Sequence, residues 1–275
     1  MSRKLHVIKE VPDVYGVTSL EEELYILLRR EICHSISVYS ISDFTFLRHI
    51  SVSELSQYGV KHITASVQLQ CLLIADRNGQ CVHKITTDGN KEKQATWALY
   101  DKPWGISVSG DLVIVTCGEE GIFFNTGKLI ELNSDGYRLR EIVLRPSINS
   151  IRNAVKHPQQ PGKFIVCYEG GFCAKDGTIA IVDSNGEVQQ SYGNWWIPRE
   201  TPLLRWACCL AVDGDGFVFV ADKYNDRILL LNPSLQFVRS IPTGEYPMWL
   251  HFDQKSRRLV VVCWSNVVSV FQLCF

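Results

Sequence analysis

Two sets of side chains in this sequence are of types that do chemistry. The first is histidine. His62, His157 and His251 recur at wide intervals. Three imidazoles brought to one point would suit zinc, which takes nitrogen ligands at about 2.0–2.1 Å. These three stand at different positions within the apolar segments that hold them, which argues against a shared centre. Calcium needs convergent carboxylates or carbonyls, and the run Glu21-Glu22-Glu23 is confined to one stretch that reads as a solvated turn. No Gly-x-Ser-x-Gly nucleophile motif occurs. The glycines of Glu169–Gly177 lead into no helix and precede no Gly-Lys-Ser/Thr, so they read as a turn and not a phosphate cradle. The expectation is no catalytic residue, no metal and no cofactor.

The second set mixes aromatics with cations. It comprises Tyr15, Tyr58, Lys61, His62, Trp104, Arg152, Asn153, Arg205, Trp206, Tyr246 and Trp249. Aromatic rings and arginine give the most contact energy per rotamer lost, which suits a protein-binding hot spot. The same mixture suits unpaired bases stacked on rings beside neutralised phosphates. The alternative for each ring is packing within the fold. A further stretch, Trp195-Trp196 with Arg199 between prolines, reads either as contact surface or as a loop packed on its own support.

The elements that must position these residues are strands. Gly214–Pro242 holds three in a row: Phe217–Val220, Ile228–Leu231 and the alternating Phe237–Ile241, with Cys209–Asp213 before them. Four short strands with tight polar turns cannot bury both faces alone. The pattern recurs. Tyr15-Gly16-Val17, Tyr58-Gly59-Val60, Lys102-Pro103-Trp104, Ser150-Ile151-Arg152, Trp206-Ala207-Cys208 and Tyr246-Pro247-Met248 open six units spaced 43, 44, 48, 56 and 40 residues apart. Periods of about 40–45 residues with four strands each mark the blades of a β-propeller. The fold expected is all-β: a single six-bladed propeller over residues 1–275, with blades near 15–51, 58–99, 102–144, 150–193, 206–243 and 246–275. The sixth unit has three strands, and residues 4–10 resemble the outer strands of other units. They are expected to complete that blade and leave the propeller closed as it stands, removing an open edge. On this layout the aromatic and cationic set gathers where the chain enters the inner strands.

Unit five carries a resemblance. Ala211-Val212-Asp213, Gly216–Asp222 and Asn225-Asp226-Arg227-Ile228 resemble an NHL repeat, and Ile74-Ala75-Asp76-Arg77-Asn78 resembles part of one. That repeat builds six-bladed propellers at the C-terminus of tripartite-motif ubiquitin ligases and related proteins. The resemblance implies a binding module: the substrate- or partner-recognising end of a ubiquitin-ligase-like protein, or a reader of single-stranded or hairpin RNA. The sequence holds no RING or B-box. Six-bladed propellers also host metal-dependent lactonases and an amidating lyase, and that reading would need the histidines to converge. In unit five, Asp222 and Asn225 are expected to bond backbone amides in the turn, and Arg227 to tie neighbouring strands.

Composition fits an ordinary globular domain: 46% hydrophobic, 21% charged, net charge −1. That balance weighs against nucleic acid without excluding a local basic face. No apolar run is long enough for a transmembrane helix, and the first residues alternate and carry charge, unlike a signal peptide. Most of the ten cysteines sit inside apolar strand runs, as reduced cysteines do. A cytoplasmic, monomeric, membrane-free module with a protein partner is the resulting expectation.

Overall fold

The computed structural model describes residues 2–9, 13–29, 34–88, 90, 94–118, 127–146, 148, 150–170, 176–193 and 203–273. Trp195, Trp196 and Arg199 lie outside them. The strand β1 (Ser2–Lys9) comes first. Blade 1 is β2 (Val14–Leu20), β3 (Glu23–Arg29), β4 (His34–Ser40) and β5 (Phe46–Val52). Blade 2 is β6 (Val60–Ser66), β7 (Cys71–Asp76), β8 (Cys81–Thr86) and β9 (Ala95–Ala98). Blade 3 is β10 (Pro103–Ser109), β11 (Leu112–Cys117), β12 (Lys128–Leu132) and β13 (Arg138–Val143). Blade 4 is β14 (Ser150–Lys156), β15 (Phe164–Gly170), β16 (Asp176–Val182) and β17 (Val188–Tyr192). Blade 5 is β18 (Ala207–Val212), β19 (Val218–Asp222), β20 (Arg227–Leu231) and β21 (Phe237–Pro242). Blade 6 is β22 (Pro247–Asp253), β23 (Arg258–Cys263) and β24 (Val267–Leu273), and its fourth strand is β1.

The strand sequences follow from their depth in this ring. Second strands pack on a neighbouring blade at both faces and so are apolar in their interiors, with polar residues at the ends; all six residues of β7 are buried, Asp76 at its end included. Fourth strands lie at the rim and are largely wet, so the alternation read from sequence is not seen in β21: it buries Ile241 alone, while the consecutive Phe237 and Val238 and also Ser240 are exposed. The core is divided among the blade interfaces. Phe219 of blade 5 and Phe252 of blade 6 stack at 5.3 Å within one such cluster. Ile8 joins Val14, Leu24, Val260 and Val268 in the cluster that seals blade 6 to blade 1. The ring closes through an antiparallel ladder running from Ser2 opposite Leu273 to Lys9 opposite Val267.

Each inner strand carries one β-bulge near its start. The bulges correct the phase read from sequence. Ladder register makes Tyr15, Lys61, Trp104, Arg152, Cys208 and Met248 equivalent, with spacings of 46, 43, 48, 56 and 40. Relative to blade 1 the openings of blades 3 to 6 slide by two residues, because sequence rhythm does not mark which residue a bulge leaves unpaired.

Candidate functional site

The bulges turn one side chain per blade onto the same end of the ring. A second series comes from the residue that follows the second-strand partner of the residue just before each bulge: Arg29, Arg77, Gly118, Glu169, Lys223 and Trp264. Aromatic and cationic members of the two series, with Trp206, Tyr224 and Tyr58 beside them, form runs of cation–π contacts. Lys61 Nζ lies 4.8 Å from the Trp104 ring centre, and the Arg77 guanidinium 5.0 Å from it. Arg152 reaches the same ring at 4.0 Å and Trp206 at 5.8 Å. Lys223 lies over Trp206, Tyr224 and Trp264 at 5.6, 5.3 and 4.5 Å. Tyr224 meets Trp206 and Tyr246 edge to face. On the other side Arg29 covers Tyr15 and Tyr58 at 5.1 and 5.3 Å, and Tyr15 lies 6.1 Å from Trp249. Burial raises the Tyr15 phenol above its ordinary pKa, with Arg29 opposing.

Two of the guanidiniums are already paired. Arg29 bonds Asp13 at 2.5 Å. Arg152 Nε donates to Glu169 Oε1 at 2.8 Å, and both side chains are largely buried. The face is therefore mixed in charge. Its exposed edge carries Tyr58, Tyr246 and Trp264.

The structure separates residues that sequence grouped. His62 and Asn153 lie one position beyond the bulge and sit beneath the face, around the axis. Asn153 Nδ2 is 3.1 Å from His62 Nε2 across the ring and 3.8 Å from Cys209 Sγ. Trp249 is half-buried and donates its indole N–H to the Lys61 carbonyl at 3.3 Å. Arg205 has an exposed side chain and serves the fold through its backbone, whose N–H donates to Asp222 Oδ1 at 2.7 Å. Arg29, Arg77, Lys223, Tyr224 and Trp264 escaped the sequence reading. The signal available was positional: each follows the apolar run of a second strand.

Blade 5's turn is a closed network. The fully buried Asp222 carboxylate also accepts from Asn225 Nδ2 at 2.8 Å and Arg227 Nε at 2.7 Å. Asn225 donates its other bond to the Leu203 carbonyl, not to an amide N–H as expected from sequence.

The histidines do not form one centre. His157 ends its strand, and its Nδ1 accepts from the Gln159 N–H at 3.2 Å. Asp213, Asp253 and Ser66 occupy the same register position and close their own hairpins in the same way. His62 and His251 are enclosed by the ring, and burial pushes both down to about 4. Ser19 Oγ lies 2.7 Å from His251 Nε2 and 2.9 Å from Asp253 Oδ1. A hydrolytic relay needs the carboxylate on the imidazole's far nitrogen; here it meets the serine hydroxyl instead. Burial pushes the Cys208 thiol up to about 12 and Cys209 to about 11, the opposite of an activated nucleophile.

No protein-family model and no curated protein matches the sequence. The fold is similar to the WD40 β-propeller domain of Doa1, with a TM-score of 0.66 at 13% identity over 98% of this chain and 96% of that one. It is also similar to a chain of the Kuenenia stuttgartiensis hydrazine synthase, with a TM-score of 0.64 at 13% identity over 95% and 84%. One relative in fold is a WD40 domain and the other belongs to an enzyme, so the likeness carries architecture alone. Among the described residues no helix is long and apolar enough to cross a membrane. The chain is a ring of six four-stranded antiparallel blades, closed by its own N-terminal strand.

Proposed function

We propose that this chain is a non-catalytic binding module whose bulge-bearing face docks a protein partner. The observation that carries the reading is the unbroken sequence of contacts Lys61–Trp104–Arg152–Trp206–Lys223–Trp264. Rings held by cations are rigid before binding, so little side-chain entropy is lost on contact. The exposed Tyr58, Tyr246 and Trp264 serve as anchors for apolar groups of the partner, and Lys223 with Arg205 for its carboxylates. The internal pairing of Arg29 with Asp13 and Arg152 with Glu169 favours a protein over RNA, because the guanidiniums that phosphates would recruit are already engaged.

The NHL-like turn of blade 5 supports the narrower reading that the module recognises substrates for a ubiquitin-ligase-like assembly. The seven free cysteines among the described residues, six of them buried, support a reducing, cytoplasmic setting and a single-chain unit. Affinity capture with the wild-type chain and with an Arg205→Glu/Lys223→Glu/Trp264→Ala variant tests the reading. The variant should keep its β-sheet circular dichroism and lose the partner, and nuclease should change nothing. Loss of the partner on nuclease treatment, with a steep salt dependence, would replace protein by RNA. Retention by the variant would overturn the face.

A further inference from the structure

Blade 2 departs from blade 5 at one place. Asp76 and Asp222 end equivalent strands and face Cys81 and Arg227 respectively across the hairpin. In blade 5 the arginine neutralises the buried carboxylate. In blade 2 that position is a cysteine, and His83, two residues on, points its ring to the same side of the strand. Asp76, Cys81 and His83 are all buried. They are the one group of three metal-ligating side chains found among the described residues, with their donor atoms within 4.8 Å of one another.

Two of the separations within the group match those between ligands of one ion. A single nitrogen, His83 Nε2, faces both Cys81 Sγ at 3.2 Å and Asp76 Oδ2 at 3.4 Å. An N–H has one proton and cannot serve both well, and a charged pair of this kind ordinarily closes to about 2.7–2.9 Å. Donor atoms bound tetrahedrally to zinc at about 2.0–2.3 Å from the ion lie roughly 3.3–3.6 Å apart. The surroundings are those of a held site. Thr96 Oγ1 lies 3.2 Å from His83 Nδ1 and fixes the ring. Asp76 accepts from the Ser56 and Gly79 N–H groups at 2.8 and 3.0 Å. A Cβ on Gly79 would stand 3.0 Å from Cys81 Sγ and 3.1 Å from the Asp76 carboxyl carbon, so the turn lies close against the group.

We propose that Asp76, Cys81 and His83 bind a zinc-class divalent ion. The mixed N, S and O donor set selects zinc, or cobalt as its probe, over calcium and magnesium, which take oxygen alone. Binding displaces the thiol proton of Cys81 to solvent, and the thiolate joins the ion. The site lies against the loop that carries Tyr58, since a Cβ on Gly59 would meet the Asp76 carboxylate, and Arg77 follows Asp76 directly in the chain. An ion there would pin that edge of the face.

The test is Co²⁺ titration of the full chain after chelation and dialysis. The expected result is saturation at a single ion per chain, with the visible bands of a tetrahedral site and a thiolate-to-cobalt charge-transfer band. Cys81→Ser should abolish the charge-transfer band, Thr96→Val should weaken binding about 10-fold, and Cys117→Ser should change neither. Zinc should raise the melting temperature of the wild-type chain relative to chelator, a measurement that needs no variant to fold. Folded wild-type protein that shows no cobalt spectrum and no zinc-dependent shift overturns the proposal. So does a charge-transfer band that survives Cys81→Ser.

Discussion

The Arg152 guanidinium carbon stands 4.0 Å from the centre of the Trp104 ring. Two adjacent blades meet there, and Glu169 holds the arginine from behind. Removing one member of a largely buried pair leaves the other charge without its counterion. Arg152→Ala should therefore cost about 3 kcal/mol of stability, and Arg152→Met with Glu169→Gln should recover most of it. Urea denaturation of the three chains checks this; a double variant as unstable as the single one contradicts it.

The closing strand contributes backbone bonds and one buried anchor, Ile8. Deleting residues 2–9 bares the edge of β24. The melting temperature should fall by roughly 10 °C, and the bared edge should promote association. Differential scanning calorimetry and size-exclusion chromatography provide the readouts. An unshifted melt with a monodisperse peak would mean the ring holds without its clasp.

Asp222 accepts from an amide, an arginine and an asparagine while fully buried. Asp222→Ala strands all three donors and should cost about 3 kcal/mol. Arg227→Met, which keeps volume and leaves Asn225 and the Arg205 amide on the carboxylate, should cost less. Because the residues share one network, the double variant should lose less than the sum of the two. Strict additivity in a double-mutant cycle would show that the bonds act independently.

His62 and His251 are held down to about 4 by burial, His251 with Asp253 opposing the fall. In the unfolded chain histidine titrates near 6.5. Between about 6.5 and about 4 the unfolded state binds protons that the folded state refuses, so stability is full above that window and falls with pH through it. Each ring contributes at most about 3 kcal/mol, and less because both touch solvent in the channel. Thermal melts across that window should show the loss, and His62→Gln/His251→Gln should flatten it. A melting temperature that holds or rises on acidification would refute this.

Strand number and order were legible because they are encoded locally. A strand buried on both faces must be apolar along its length, as residues 71–75 are, and an outer strand stays largely wet, as Phe237–Pro242 does with Ile241 alone buried. Six echoes of that pattern, the last one strand short, and one leftover strand at the start leave closure as the arrangement without an open edge. The sequence also marked Trp104, Arg152 and Trp206 as a contact set, since residue type and nearness to an inner strand were visible. Depth was not visible. One unpaired residue in each inner strand decides that Tyr15 lines up with Lys61, and that His62 and Asn153 sink to the axis while their neighbours stay on the face. Tertiary structure alone made His157 a hairpin cap, put the Trp249 indole on the Lys61 carbonyl 188 positions away, and set Cys81 and His83 against Asp76. Periodicity records which face of a strand is buried. It carries no record of which distant side chain that face will meet, because the meeting is fixed by packing between blades.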